Sequence, residues 1–150
     1  METIIRKATI DDHSIIVDFQ MAMALETENL KLDRKILSKG VTSVLVEGNG
    51  SGYYIAEVNS QIAGMLMITM EWSDWRNGWV WWIQSVYTNP EFRKSGVYRS
   101  LYTHIANLAK SSDNIKGIRL YVDKRNTRAQ KVYESLGMNG EHYITYEWMK

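Results

Sequence analysis

The sequence has no cysteine and one proline, and its longest apolar run is confined to Ile62–Met70. Without cysteine there can be no disulfide, thiol nucleophile or cysteine-based zinc site. The apolar run is far short of the roughly 18 residues that a membrane-spanning helix needs. The segment Met1-Glu-Thr-Ile-Ile-Arg6 has no basic stretch followed by an apolar one, so no secretory signal is expected. No Gly-x-x-x-x-Gly-Lys-Ser/Thr phosphate loop occurs, and no Gly-x-Gly-x-x-Gly dinucleotide fingerprint. The three histidines, His13, His104 and His142, show no spacing suited to a metal pair. The expectation is a cytoplasmic protein with no metal and no membrane partner.

With 150 residues, 45% of them hydrophobic and 23% charged, the chain reads as a single globular domain over residues 1–150. The net charge of +1 conceals a division. Residues 1–90 carry 7 basic and 11 acidic side chains, and residues 91–131 carry 10 basic and 3 acidic. The remaining 19 residues are net acidic. Either the middle segment holds solvated lysine-rich helices, or it builds a site for a phosphate-bearing ligand. A nucleic-acid partner is disfavoured. No recognition motif is present, and all six tryptophans lie outside the basic segment.

Periodicity gives the order of elements. Thr3–Ala8 reads as a strand. Asp11 or Asp12 can cap a helix whose apolar face includes Ile15, Ile16, Phe19 and Met23. A second helix covers Asp33–Glu47, and Gly48–Gly52 is a turn. Tyr53–Val58 and Gln61–Met70 flank Asn59-Ser60 as a hairpin. A strand at Trp79–Thr88 ends before Pro90, which cannot donate a ladder hydrogen bond. A helical stripe follows at Val97, Leu101, Ile105 and Leu108, then a strand at Gly117–Val122. Asn126 reads as the cap of a helix stopped by Gly137, and His142–Trp148 as a last strand. This order predicts an α/β (α+β) mixture: a mixed central sheet of about 6–7 strands with about four helices. The strand–helix–strand unit over 79–122 should be a crossover with parallel strands.

The segment Val86-Tyr-Thr-Asn-Pro-Glu-Phe-Arg-Lys-Ser-Gly-Val-Tyr-Arg-Ser-Leu101 takes the chain from a strand through a turn into a helix. The first amides of a helix have no internal partners, and the helix dipole favours an anion there. Gly96 permits close approach, and Arg93, Lys94 and Arg99 add positive charge. Many helices start this way for structural reasons alone. Within the segment, Arg93-Lys94-Ser95-Gly96-Val97-Tyr98 resembles the Arg/Gln-x-x-Gly-x-Gly/Ala signature of the GNAT N-acetyltransferase family. Further on, Asn126-Thr-Arg-Ala129-Gln-Lys-Val-Tyr133-Glu-Ser-Leu-Gly137-Met is similar to that family's Asn-x-x-Ala-x-x-x-Tyr-x-x-x-Gly-Phe pattern. Order and spacing agree over the whole chain. One departure is Tyr98, which stands where the family usually has glycine or alanine.

The resemblance implies a GNAT-like fold with splayed parallel strands around residues 79–88 and 117–122. It implies acetyl-CoA as donor co-substrate and an amine of a small molecule or peptide as acceptor. The backbone of Val86, Tyr87 and Thr88 would hold the pantetheine arm. Arg93, Lys94, Ser95, Gly96, Val97, Tyr98 and Arg99 would hold the phosphates, with Asn126 and Arg128 contributing. Tyr133 would protonate the departing thiolate; on periodicity alone it reads as a core aromatic beside Ala129 and Leu136. Gln84 stands where some relatives have a glutamate, and an amide cannot take a proton at neutral pH. The base is therefore sought among Glu26, Glu28, Glu71 and Asp74, with Glu28 and Glu71 preferred. Each could equally be a solvated carboxylate.

Five of the six tryptophans lie between residues 72 and 82. Trp72 and Trp75 beside Glu71 and Asp74 suit a cationic amine, with Gln84 nearby in the next strand. They could equally cover the end of a hairpin or form a dimer contact. Relatives of this family often dimerise, so a homodimer is one expectation. Transfer should be direct, because no acetyl-cysteine intermediate can form. A second reading keeps the fold but not the chemistry: a CoA-binding or ligand-sensing module, with Tyr98 and Gln84 as signs of drift.

Overall fold

The computed structural model describes residues 2–48 and 50–150. The chain divides into two compact units, Met1–Leu120 and Tyr121–Lys150. The expected turn Gly48–Gly52 includes Asn49, which lies outside the described residues, as does Met1 of the N-terminal segment.

The first unit is a five-stranded sheet flanked by three helices. Its elements run β1 (Thr3–Lys7), α1 (His13–Glu28), α2 (Arg34–Glu47), β2 (Gly52–Val58), β3 (Gln61–Ser73), β4 (Gly78–Thr88), α3 (Val97–Lys110) and β5 (Ile115–Leu120). The strands lie in sequence order, antiparallel from β1 to β4, with β5 parallel to β4. A parallel neighbour needs a crossover, and α3 supplies it. The β2–β3 turn, Asn59-Ser60, takes positive φ at both residues, 51° and 63°. That is the turn geometry whose twist matches two flanking antiparallel strands.

Strand alternation sorts the core into two layers. On one face Ala56, Val58, Leu66, Ile68 and Ile83 pack with Val97, Leu101 and Ile105 of α3. On the other, Tyr53, Ile55, Met65 and Tyr87 pack with Ile16, Val17 and Phe19 of α1 and Val41 of α2. The stripe of α3 closes with Ala109 buried, while Leu108 remains 36% exposed. The buried stripe keeps a strict i, i+4 spacing, so its fourth member is Ala109 and not Leu108. Gly64 sits where α3 meets the sheet. A Cβ there would lie 2.8 Å from the Tyr87 carbonyl oxygen and 2.9 Å from Val97 Cγ1.

Asp12 occupies the position before α1, but its carboxylate does not cap the helix. Both its oxygens accept from the Arg6 guanidinium at 2.8 Å, and one also accepts from the Thr9 amide at 2.8 Å. Arg6 donates in addition to Glu57 on β2 at 2.6 Å. The Arg6 hydrogen bonds hold the Asp12 carboxyl below the usual carboxylate range, against the opposing effect of burial.

The second unit contains α4 (Thr127–Ser135). Asn126 is its N-cap, its side chain accepting from the Ala129 amide at 3.1 Å. Gly137, at φ 88°, follows the helix end. The expected strand at His142–Trp148 is absent. Among the described residues no segment pairs with it, so the sheet has five strands rather than six or seven. Its aromatic content suits a strand, but that preference acts only through a paired neighbour, and Tyr146 and Trp148 stand exposed instead. No helix among the described residues is long and apolar enough to cross a membrane.

Two measurements check this packing. Gly64→Ala should lose about 1–3 kcal/mol from overpacking. Gly40→Ala, with nothing within 4 Å of the new Cβ, should be neutral or slightly stabilising in the same urea titration. Asp12→Asn should cost about 1–3 kcal/mol at neutral pH. A carboxyl with a depressed folded pKa contributes stability above its unfolded pKa and loses it as the pH falls through the folded value. The gap between variant and wild type should therefore close in acid; a gap constant down to pH 2 would contradict it.

Candidate active site

Strand β4 controls the site because its two neighbours release it at different points. The parallel ladder with β5 runs from Trp79↔Ile115 to Ile83↔Leu120 and stops there. The antiparallel ladder with β3 continues, but its register shifts: Met67 faces Gln84 and Met65 faces Tyr87. Ser85 and Val86 thus both stand opposite Leu66, a β-bulge, and Ser85 takes φ 52°. A bulge leaves its extra residue out of the ladder and bends the strand. So β4 runs from Gln84 to Thr88 past the end of β5, with backbone groups left over for another extended chain. The expected separation of the parallel strands takes this form within the first unit.

Beyond Thr88 the chain is tightly held. The Asn89 amide donates to Ala63 at 2.8 Å, its side chain accepts from the Glu91 amide at 3.2 Å, and Pro90 opens a short 3-10 turn, Pro90–Phe92. The Ser95 hydroxyl donates to the Phe92 carbonyl. Lys94 at φ 66° and Gly96 at φ 81° are both left-handed, and Gly96 is the N-cap of α3. A Cβ on Gly96 would meet nothing within 4 Å, so the backbone sign, and not crowding, calls for glycine. No side chain caps α3, and the first turn of a helix has no carbonyl of its own for its amides. Lys94, Ser95 and Arg99 are exposed around it. Val97 is 2% exposed, so its side chain serves the core and only its backbone faces the loop. Tyr98 lies half-buried on α3, its ring 6.3 Å from that of Tyr102 one turn on. The large residue at the departure from the family signature therefore lies along the helix.

Gln84 and Tyr87 are three residues apart, and the bulge between them brings both to the face covered by α1 and α2. Gln84 donates to the Thr69 hydroxyl at 2.7 Å. The Tyr87 ring packs 4.9 Å from Phe19, and its hydroxyl donates to Glu26 at 3.4 Å. Burial and the nearby Glu26 charge raise the Tyr87 pKa. The Arg93 guanidinium donates to Glu26 at 2.7 Å and to the Thr88 carbonyl at 3.0 Å, 5.6 Å from the centre of the Tyr87 ring.

The other carboxylates sit elsewhere. Glu71 pairs with Arg119 of β5 at 2.5 Å and lies opposite Val80, roughly 16 Å along β4 from the bulge at 3.3 Å per residue. Glu28 is exposed at the end of α1, and its carboxylate pairs with none of the described residues. Asp74 accepts from the Trp75 amide at 2.9 Å in the β3–β4 connection. Trp72 stacks edge-on against Trp79 at 5.0 Å, and Trp75 is 91% exposed. This hairpin end is roughly 23 Å along β4 from Ser85, so the structure does not bring Trp72, Asp74 and Trp75 to the bulge. The sequence reading missed Thr69 and the bulge at Ser85. A serine gives no local signal for positive φ, and Thr69 meets Gln84 only through sheet register.

In the second unit, Asn126 and Arg128 are exposed at the start of α4. Tyr133 is half-buried on that helix, and desolvation raises its pKa. Its phenol therefore keeps its proton at neutral pH.

The sequence profile of the Acetyltransferase (GNAT) family matches residues 17–138, a span that includes parts of both units. A possible acetyltransferase from Clostridium difficile 630 is 40% identical, with 100% of this chain and 99% of that chain covered and a TM-score of 0.92. A predicted acetyltransferase from Clostridium acetobutylicum, solved with acetyl-CoA, is 24% identical at a TM-score of 0.75 over 97% of this chain and 96% of that one. An aminoglycoside acetyltransferase from an uncultured soil metagenomic sample, in complex with sisomicin, shares the fold at 15% identity and a TM-score of 0.76, covering 99% and 95%. No curated protein matches the chain. The chain belongs to the GNAT acetyltransferase family, and it is an N-acetyltransferase.

Proposed function

We propose that the protein, acting as one domain over residues 1–150, transfers an acetyl group directly from acetyl-CoA to a primary amine of a small molecule or peptide. The observation that carries this reading is the free stretch of β4 from Gln84 to Thr88, bulged at Ser85 and leading into the uncapped start of α3. An extended arm with an amide-rich backbone fits beside Val86–Thr88 by strand addition. Phosphates fit the amides and cations of Lys94–Arg99. Asn126 and Arg128 are assigned to the cofactor through the family pattern in the second unit.

The chemistry needs four things: a polarised thioester carbonyl, a neutral amine, support for the tetrahedral oxyanion and a proton for the thiolate. A backbone amide near Ser85–Val86 supports the carbonyl oxygen. The amine nitrogen adds to the carbonyl carbon to form the C–N bond, and the tetrahedral oxyanion then collapses with loss of the C–S bond. Through the family pattern, Tyr133 of the second unit is assigned as the proton donor to the thiolate, and its phenol is protonated at neutral pH. The amine gives up a proton to solvent or a carboxylate. Gln84 cannot receive it, and Glu71 is already engaged with Arg119. Glu28 remains a candidate of this kind. The acceptor class stays at amines: the aminoglycoside enzyme shares only the fold at its level of identity.

Incubation with acetyl-CoA and a panel of primary amines, read as free thiol, tests the reading. Turnover on at least one amine is expected. No thiol release on any amine, with acetyl-CoA still bound, would contradict it. Tyr133→Phe should lower kcat about 10²-fold or more while leaving acetyl-CoA affinity within about twofold. Equal kcat would remove Tyr133 as the acid.

A further inference from the structure

Glu26, Tyr87 and the Thr88 carbonyl together form a built cation site, and Arg93 already occupies it. The carboxylate lies 2.7 Å from the guanidinium, the carbonyl accepts at 3.0 Å, and the ring centre lies 5.6 Å away. Carboxylate, carbonyl and aromatic face are the three groups that hold an alkylammonium. All belong to the first unit, and Tyr87 and Thr88 directly follow the bulge.

We propose that Glu26 receives the ammonium group of the amine acceptor, and that Arg93 caps this site until acetyl-CoA draws the guanidinium away. The inference rests on the function proposed above, because the acetyl-CoA phosphates are what compete for Arg93. The cap is suited to release. The Arg93 and Glu26 side chains are 44% and 42% exposed, so water and salt screen the pair and it is weak. Arg93 is joined to α3 by Lys94–Gly96, so a small movement turns it toward an anion at the helix start. Once it leaves, Glu26 has lost its cation beside a desolvated ring, and a substrate ammonium restores the lost contacts. Cofactor and amine thus favour each other through one ion pair, a coupling that must be reciprocal.

Calorimetric titration of acetyl-CoA into wild type, Glu26→Gln, Arg93→Gln and the double variant tests this. The amine KM and kcat are measured in parallel with the best amine of the panel. Glu26→Gln should bind acetyl-CoA roughly two- to fivefold more tightly, because Arg93 no longer has to be detached. In the Arg93→Gln background the same change should give no gain. Glu26→Gln should also raise the amine KM about tenfold, with a smaller change in kcat. Glu26→Asp should recover part of that loss. A merely structural ion pair predicts the opposite sign, since loosening the loop would weaken acetyl-CoA binding. If wild type binds acetyl-CoA but Glu26→Gln binds it equally or less tightly, or if the amine KM is unchanged, the inference fails alone. If wild type binds no acetyl-CoA, the proposed function fails with it.

Discussion

A strand can satisfy its backbone on both edges only while both neighbours run beside it. Strand β4 loses that condition twice within a few residues. β5 stops pairing at Leu120, opposite Ile83, and β3 slips register at Leu66. The hydrogen-bonding groups of the following stretch must find other partners. The surroundings hold this interrupted strand rigidly. Gly64 lets Val97 and the β4 backbone approach, so α3 starts close against the sheet. Asn89 ties the outgoing chain back to Ala63, and Pro90 turns it. The uncapped start of α3 then follows the open stretch after a short, well-bonded turn. An open strand edge and an uncapped helix start arise together from one disrupted ladder.

Electrostatics ties the acidic and basic parts of the chain together. The basic segment holds Arg93 and Arg119, and the acidic one holds Glu26 and Glu71. Both pairs close across the fold. Their exposure keeps either from being a large source of stability. Arg6 differs, since it bonds a buried carboxylate and joins β1, the approach to α1 and β2. That pair belongs to the fold, whereas the Arg93 pair is exposed beside the bulged end of β4.

Much of the fold was legible in the sequence because its signals are local. The Asn59-Ser60 turn, the stripe at Val97, Leu101 and Ile105, the Asn126 cap and the Gly137 stop each depend on residues within a few positions. The Gly96 loop was legible in the same way, and its glycine suits a positive φ. The failures came from partners remote in sequence. His142–Trp148 has strand composition but no neighbour to pair with. The tryptophans at 72 and 75 stand roughly 23 Å along β4 from Ser85, a separation set by strand rise and register. Nothing around Ser85 announces its left-handed backbone. The Glu26–Arg93 contact spans 67 positions, and no periodicity encodes it.

On the proposed function, the free stretch of β4 and the start of α3 form a single binding surface for acetyl-CoA. Amide hydrogen exchange with and without acetyl-CoA tests it most directly. Slowed exchange is expected at residues 85–88 and 94–99, with residues 72–78 at the hairpin end unchanged. Protection confined to the hairpin end, or none at either segment at saturating acetyl-CoA, would contradict it.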